Sequence, residues 1–309
     1  MKKTVFILIG CALLLFGCSS DDVYTPEGGD ILVEYTMAID KSDGIRHTFK
    51  DNGTKFDKIF DANGNVDTEY IYNANDQLIT INSDIRNPGG TVLGLEKTEY
   101  EYEGDAIIKL TVSRIMPNAT FTKVREFEIE GNTMFVRTGD YPQGLYKEKY
   151  EFNDQGHIVE IVFIGSSATQ GFYNYDAQKF EYNQSNSVVR SEFVTGFYSE
   201  ETQTFGESGT GIFERFKYYE NNPNPFKEAT REIYKNYIIA PNAFKKGLFG
   251  DGAHAIFFEK FPSDYIYAGD TSNTHYFFRD GNIIFQQNGL PKSGFRAVAG
   301  IPFEFTYAE

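Results

Sequence analysis

One pattern recurs along this chain: an alternating aromatic strand runs into a polar turn and leaves it as a second apolar strand. Copies include Lys58-Ile59-Phe60-Asp61-Ala62-Asn63-Gly64-Asn65-Val66 and Tyr70-Ile71-Tyr72-Asn73-Ala74-Asn75-Asp76-Gln77-Leu78. Others are Tyr100-Glu101-Tyr102-Glu103-Gly104-Asp105-Ala106-Ile107 and Tyr150-Glu151-Phe152-Asn153-Asp154-Gln155-Gly156-His157-Ile158. Looser copies begin at Phe127, Phe180 and Tyr276. A period of two turns alternate side chains to one face, and Asn-Gly, Gly-Asp or Gly-Asn supplies the positive φ that a tight turn requires. Each copy is therefore a β-hairpin. A lone hairpin is barely stable, so several must share a sheet, and sequential hairpins pair most readily with their neighbours.

These units predict an all-β fold, an antiparallel meander of repeated hairpins occupying residues 31–309 as a single domain. Aromatic residues make up 16% of the chain, 21 Tyr and 29 Phe, so large side chains must be placed on both faces of the sheet. Twist then favours a curled, barrel-like form over a flat sheet, with a wide barrel, a half-open barrel and a two-layer arrangement as its variants. The one helical candidate is 225–237, where Asn224 can cap and Pro225 can open the first turn. The alternating aromatics at the end of 295–307 predict a last strand similar to the terminal signal of outer-membrane barrels. Strands such as 146–152 and 213–219 carry frequent Lys and Glu, however, which argues for a soluble domain and not a lipid-embedded one.

The N-terminus constrains location. Lys2 and Lys3 precede an apolar stretch from Val5 to Phe16, too short to span roughly 30 Å of hydrocarbon and followed by an abruptly polar segment. That is a cleaved export signal, residues 1–17. Leu15-Phe16-Gly17-Cys18 resembles the lipobox of bacterial lipoproteins, which implies that Cys18 is lipidated, carries palmitate-type acyl chains and becomes the first mature residue. Leu8-Ile9-Gly10-Cys11 fits the same pattern but would leave too short an apolar core. Residues 18–30 then form an acylated cysteine and a flexible tether rich in polar and turn-forming residues. Two or three acyl chains anchor stably where one does not, because each buried methylene contributes about 0.8 kcal/mol. The expected location is the outer membrane, lipid-anchored. Ser19-Ser20-Asp21-Asp22 resembles the acidic surface-export tag of Bacteroidetes lipoproteins and reads equally as a solvated linker, so the surface is expected and the periplasmic side is the alternative.

Loss of Lys2 and Lys3 leaves 27 basic residues against 44 acidic ones, a formal charge of −17. Such a field repels nucleic acid and anionic head groups, so neither is an expected partner. With Cys18 alkylated no disulfide can form, and stability rests on the core.

The tyrosine-rich strand, the Asn/Asp-Gly turn and the lipoprotein leader together resemble Bacteroidetes lipoproteins built from hairpins similar to tyrosine-aspartate repeats. These include a domain family of unknown function with a porin-like β fold. The resemblance spans most of residues 31–309 and implies no catalytic residue.

Candidate chemistry is sparse. Asp61-Ala62-Asn63-Gly64-Asn65-Val66-Asp67 imitates the start of a calcium loop, but Val66 stands where glycine is required and Tyr72 where a bidentate glutamate is required, which leaves a hairpin turn. His47, His157, His254 and His275 lack metal-ligand spacing. There is no Gly-x-Ser-x-Gly, no free mature cysteine and no phosphate-binding glycine loop. No catalytic, metal or cofactor site is expected. The expected function is non-enzymatic binding of a glycan, peptide or protein at the cell envelope. A structural or assembly role without a small ligand is the first alternative, and a carboxylate-based glycoside hydrolase the more remote one. A contiguous exposed aromatic patch favours binding, and a filled interior beneath a polar surface favours the structural role.

Overall fold

The computed structural model describes residues 32–40, 43–87, 89–137, 146–165, 171–184, 187–225, 260–268, 274–275, 283–296 and 301–308. The lipidation site expected at Cys18, the tether, all but Pro225 of the helix expected over 225–237, and His254 lie outside them. Among the described residues every regular element is a strand. The first group is β1 (Leu32–Asp40), β2 (Asp43–Lys50), β3 (Lys55–Phe60), β4 (Val66–Tyr72), β5 (Leu78–Arg86), β6 (Val92–Glu103), β7 (Ala106–Met116) and β8 (Ala119–Glu126). The second is β9 (Glu128–Glu130), β10 (Thr133–Val136), β11 (Glu148–Phe152), β12 (Ile158–Ile164), β13 (Phe172–Tyr182), β14 (Val188–Ser199), β15 (Thr204–Pro223), β16 (Lys260–Ala268) and β17 (Thr274–His275). The chain ends in β18 (Ile283–Phe285), β19 (Pro291–Arg296) and β20 (Ile301–Tyr307).

All ladders are antiparallel, and the expected meander is present with the last strand in place. It forms an eleven-stranded sheet ordered β18-β19-β20-β1-β2-β3-β4-β5-β6-β7-β8 and a nine-stranded sheet ordered β17-β16-β15-β14-β13-β12-β11-β10-β9. The order is that of an up-and-down barrel in which the first and last strands meet, because β1 pairs with both β2 and β20. The two sheets are not closed into a barrel. At Phe127 the chain leaves one sheet for the other: β8 pairs with β7, and the three residues of β9 pair with β10. One core nevertheless spans both sheets, with Phe56, Ile59, Tyr70, Leu78, Ile81, Tyr100, Leu110 and Phe127 meeting Met134, Tyr150, Ile158, Ile161 and Phe180.

The repeated turn is one five-residue device. In Asn73–Gln77 the Asn73 amide donates to the Gln77 carbonyl at 2.9 Å and the Asp76 amide to the Asn73 carbonyl at 3.1 Å. The Asn73 side-chain oxygen accepts from the amides of Asn75 and Gln77 at 2.9 and 3.0 Å, so one short polar side chain satisfies the inside of the loop. Asp61 and Asn153 do the same for their own turns. The fourth residue is left-handed each time, with φ of 81° at Gly64, 64° at Asp76, 80° at Gly156 and 84° at Gly289. This is the geometry of a type I turn with a bulge, and the ladders duly slip by one residue beside it, opposite Ile59/Phe60, Ile71/Tyr72 and Glu151/Phe152 of the strand entering the turn.

Three residues ahead of the turn sits a buried aromatic, Tyr70, Tyr150 or Phe180. The aromatic nearer the turn performs a second task. Tyr102 donates its hydroxyl to the Leu78 carbonyl at 2.7 Å, Tyr182 to that of Ile158 at 2.7 Å, and Tyr307 to that of Pro291 at 2.8 Å. Each acceptor is the first residue after a five-residue turn in the neighbouring hairpin, so the tyrosines lock successive hairpins together at an equivalent atom.

On β1 to β7 the face opposite the core is polar. Arg46 pairs with Glu34, Lys58 with Glu69, Lys97 with Glu99 and Lys109 with Glu101, at 3.0, 3.3, 2.5 and 2.6 Å. Such a charge ladder is the reverse of the apolar band by which a transmembrane barrel meets lipid. Replacing Tyr102 or Tyr182 with Phe removes one hydroxyl and leaves a carbonyl short of a donor. Each change is expected to lower unfolding free energy by about 1 kcal/mol in urea denaturation, with no change of fold by circular dichroism.

Candidate binding surface

Sheet parity separates two environments at the ends of β12, β13 and β14. On one face Val162, Ile164, Tyr175, Ala177 and Val194 form a second buried cluster, with Tyr146, Tyr173 and Tyr198 packed against it. Rings interlock there: Tyr175 and Tyr198 each lie 4.9 Å from Phe205, centroid to centroid. This end of the sheet is therefore ordered by a core of its own. The residues between these positions point the other way. They include Phe163, Phe172 and Phe197, which are 44%, 46% and 47% exposed.

Register places the three phenylalanines on one surface. Phe163 pairs with Asp176, which pairs with Thr195; Asn174 pairs with Phe197, and Phe172 with Ser199. Phe172 and Phe197 are thus diagonal neighbours, within reach of aromatic rings. Asn174, Asp176 and Thr195 are exposed between them. The result is a row of apolar rings interleaved with an amide, a carboxylate and a hydroxyl. Phe163 is also tied to the main core through an edge-to-face contact with Tyr150 at 6.3 Å.

Beside this surface lies a charged junction between the sheets. Glu148 is buried, accepts the Tyr150 hydroxyl at 2.8 Å and faces Arg125 of β8 at 3.5 Å. Burial, and then the Glu148 charge, hold the Tyr150 hydroxyl well above its ordinary pKa, so it remains a donor. Lys123 is held below its ordinary value, first by the Arg125 charge, then by burial and Lys147. In a strongly acidic chain, this junction is a local concentration of positive charge.

The remaining sequence candidates are turn or core residues. The Asp61 carboxylate accepts the amides of Asn63 and Asn65 and faces Arg86 at 3.2 Å, so it serves as a turn cap. Among the described residues no group of three His, Cys, Asp or Glu side chains could hold a metal ion. His157 stacks on Tyr182 at 5.2 Å, and His275 lies in β17 paired with Tyr265. His47 is buried on the inner face beside the buried polar pair Thr68 and Ser83, whose hydroxyls are 3.0 Å apart.

The phenylalanine surface went unremarked in the sequence, although a signal was there. Ile161-Val162-Phe163-Ile164, Phe172-Tyr173 and Phe197-Tyr198 are apolar at both parities, which is what a strand with two apolar faces requires.

No family model matches the chain, and no curated protein matches it. Several solved structures are similar to it. A porin-like protein from Bacteroides uniformis aligns at 9% identity and a TM-score of 0.35, covering 91% of this chain and 99% of that one. A porin-like protein from Bacteroides vulgatus aligns at 11% identity and a TM-score of 0.31, covering 89% and 98%. TcdB2-TccC3 aligns at 10% identity and a TM-score of 0.32 over 86% of this chain, which spans 14% of that one.

Burial pushes the His47 pKa down to about 4, partly offset by the Asp67 charge. Its folded value therefore lies below the ordinary 6.5, and the unfolded chain takes up the proton first. The stability that neutral His47 confers is complete above about pH 6.5 and is lost as pH falls toward 4, a difference on the order of 3 kcal/mol. Urea melts across that window are expected to show a steeper loss for the wild type than for His47→Leu, whose relative stability rises as pH falls.

Proposed function

We propose that this protein is a lipid-anchored binding protein of the bacterial cell envelope, without a catalytic step, and that it seats an extended glycan on the exposed surface of β12, β13 and β14. One observation carries this reading. Phe163, Phe172 and Phe197 remain exposed on a sheet whose order is secured from its opposite face. Phe163 also touches Tyr150 of the main core, but core packing does not account for Phe172 and Phe197. Phenyl rings stack on the C–H faces of a sugar, while Asn174, Asp176 and Thr195 offer hydrogen bonds to its hydroxyls. A surface of alternating rings and polar groups suits a ligand that alternates in the same way.

The lipoprotein leader supplies the location. Acyl chains on Cys18 would hold the domain at the outer membrane, and the polar tether of residues 19–30 would let it stand away from the surface. Replacing Cys18 with Ala is expected to abolish palmitate labelling and to move the protein from the membrane fraction to the soluble one. Protease applied to intact cells, with a periplasmic protein as control, then separates a surface domain, which is digested, from a periplasmic one, which is protected.

The ligand assignment is tested on a glycan array with the mature domain. Phe172→Ala combined with Phe197→Ala is expected to weaken a detected glycan about tenfold or more while leaving the melting temperature within a few degrees. Undiminished glycan binding by the double variant would remove this surface from consideration. Binding of peptides but not of sugars would make the ligand a polypeptide.

A further inference from the structure

We propose that β8 is a docking edge at which an acidic, extended polypeptide adds to the eleven-stranded sheet as a further strand. This edge adjoins the phenylalanine surface through Glu148, the register partner of Phe163, but does not rest on the glycan reading. Among the described residues four strands lie at sheet edges, and β9, which described residues bound on both sides, has only three residues. Short edges are one of the ways proteins avoid unwanted pairing. β8 departs from this pattern with eight residues.

Among the described residues its ladder is also the longest unbroken one at an edge, with eight pairs against three for β9–β10. The ladders from β2–β3 through β6–β7 each contain a register shift, whereas β7–β8 runs without one from Lys109↔Glu126 to Met116↔Ala119. Bulges twist an edge away from a partner, and β8 has none. Among the described residues no strand pairs with its other side. Both of its faces are open, with Phe121 65% and Val124 48% exposed.

Charge selects the occupant. Lys123 and Arg125 lie on the inner face of β8 with Lys147 near them, and like-charge repulsion already holds the Lys123 amine below its ordinary pKa. Arg125 has its partner in Glu148. Lys123 would gain from a carboxylate delivered across the edge, while Phe121 offers an apolar contact two residues away. A second copy of β8 would bring the same cations together, so an acidic strand suits this edge better than self-pairing.

The test uses the mature domain and a fluorescein-labelled probe, acetyl-Glu-Val-Glu-Val-Glu-Val-Glu-Val-amide, read by fluorescence polarisation. Saturable binding that weakens with added salt is expected. It should be lost when alternate amides of the probe are N-methylated, because strand addition depends on main-chain hydrogen bonds. Lys123→Glu should weaken the acidic probe about tenfold and strengthen the matching Lys-Val peptide, a reversal that a merely structural role would not produce. Phe121→Ser, at an exposed position, provides a second variant with the fold intact. Absence of binding, equal binding of acidic and basic probes, or indifference to N-methylation would overturn the proposal. So would a concentration-dependent dimer disrupted by Lys123→Glu, which would make a second copy the occupant.

Discussion

A side-chain carbonyl folded back onto its own turn is the interaction from which the rest of the architecture follows. Asn73, Asn153 and Asp61 each accept two backbone amides inside a five-residue loop, so the loop is closed by the residue that opens it. The left-handed fourth residue forces a one-residue slip on the returning strand, which fixes which side chains face inward. Once that register is set, an aromatic three residues ahead of the turn must enter the core. The aromatic nearer the turn can then reach the neighbouring hairpin, as Tyr102 and Tyr182 do, and Tyr307 at the end of the last strand makes the equivalent bond. A local hydrogen-bonding motif is thereby converted into long-range order among the described residues, none of which is a cysteine.

A meander whose strands keep one face apolar can curl around a single core. β12, β13 and β14 cannot, because their ends are apolar at both parities. At the turn end, Ile158, Ile161 and Phe180 join the main core; at the other end Val162, Ile164, Tyr175 and Val194 build a second one on the reverse face. Burial therefore changes sides along the strands. The phenylalanines left between those positions are exposed because the reverse face has taken over the task of holding the sheet.

The hairpins were legible residue by residue, since Tyr-x-Tyr-Asn and Asn-Gly encode parity and turn type within a span of a few residues. The final strand was legible for the same reason, through Phe303, Phe305 and Tyr307. The pairing of β1 with β20 was not, because strands at opposite ends of a chain leave no mark of each other in local pattern. The break between the sheets was equally hidden. It occurs at Phe127, where the apolar alternation changes parity between Val124 and Phe127; a one-residue offset of that kind marks an ordinary bulge as readily as a change of hydrogen-bonding partner. At the candidate surface, the apolar character of Phe163, Phe172 and Phe197 was readable, but their exposure depends on which parity the core occupies at that depth. His47 illustrates the same limit, for its burial is set by the strands on either side.

Charge is distributed by the same geometry. The outward face of β1 to β7 carries acid–base pairs across and along its strands, which neutralise one another locally. The junction between the sheets is different. There one buried carboxylate, Glu148, faces Arg125 while Lys123 and Lys147 also crowd the site, so positive charge exceeds negative where the strand order breaks. An anion approaching this junction meets that local excess of positive charge. Closing the barrel there would bury that excess charge at a desolvation cost of several kcal/mol per ion. The electrostatics of the junction therefore favour an opening between β8 and the second sheet over a continuous wall.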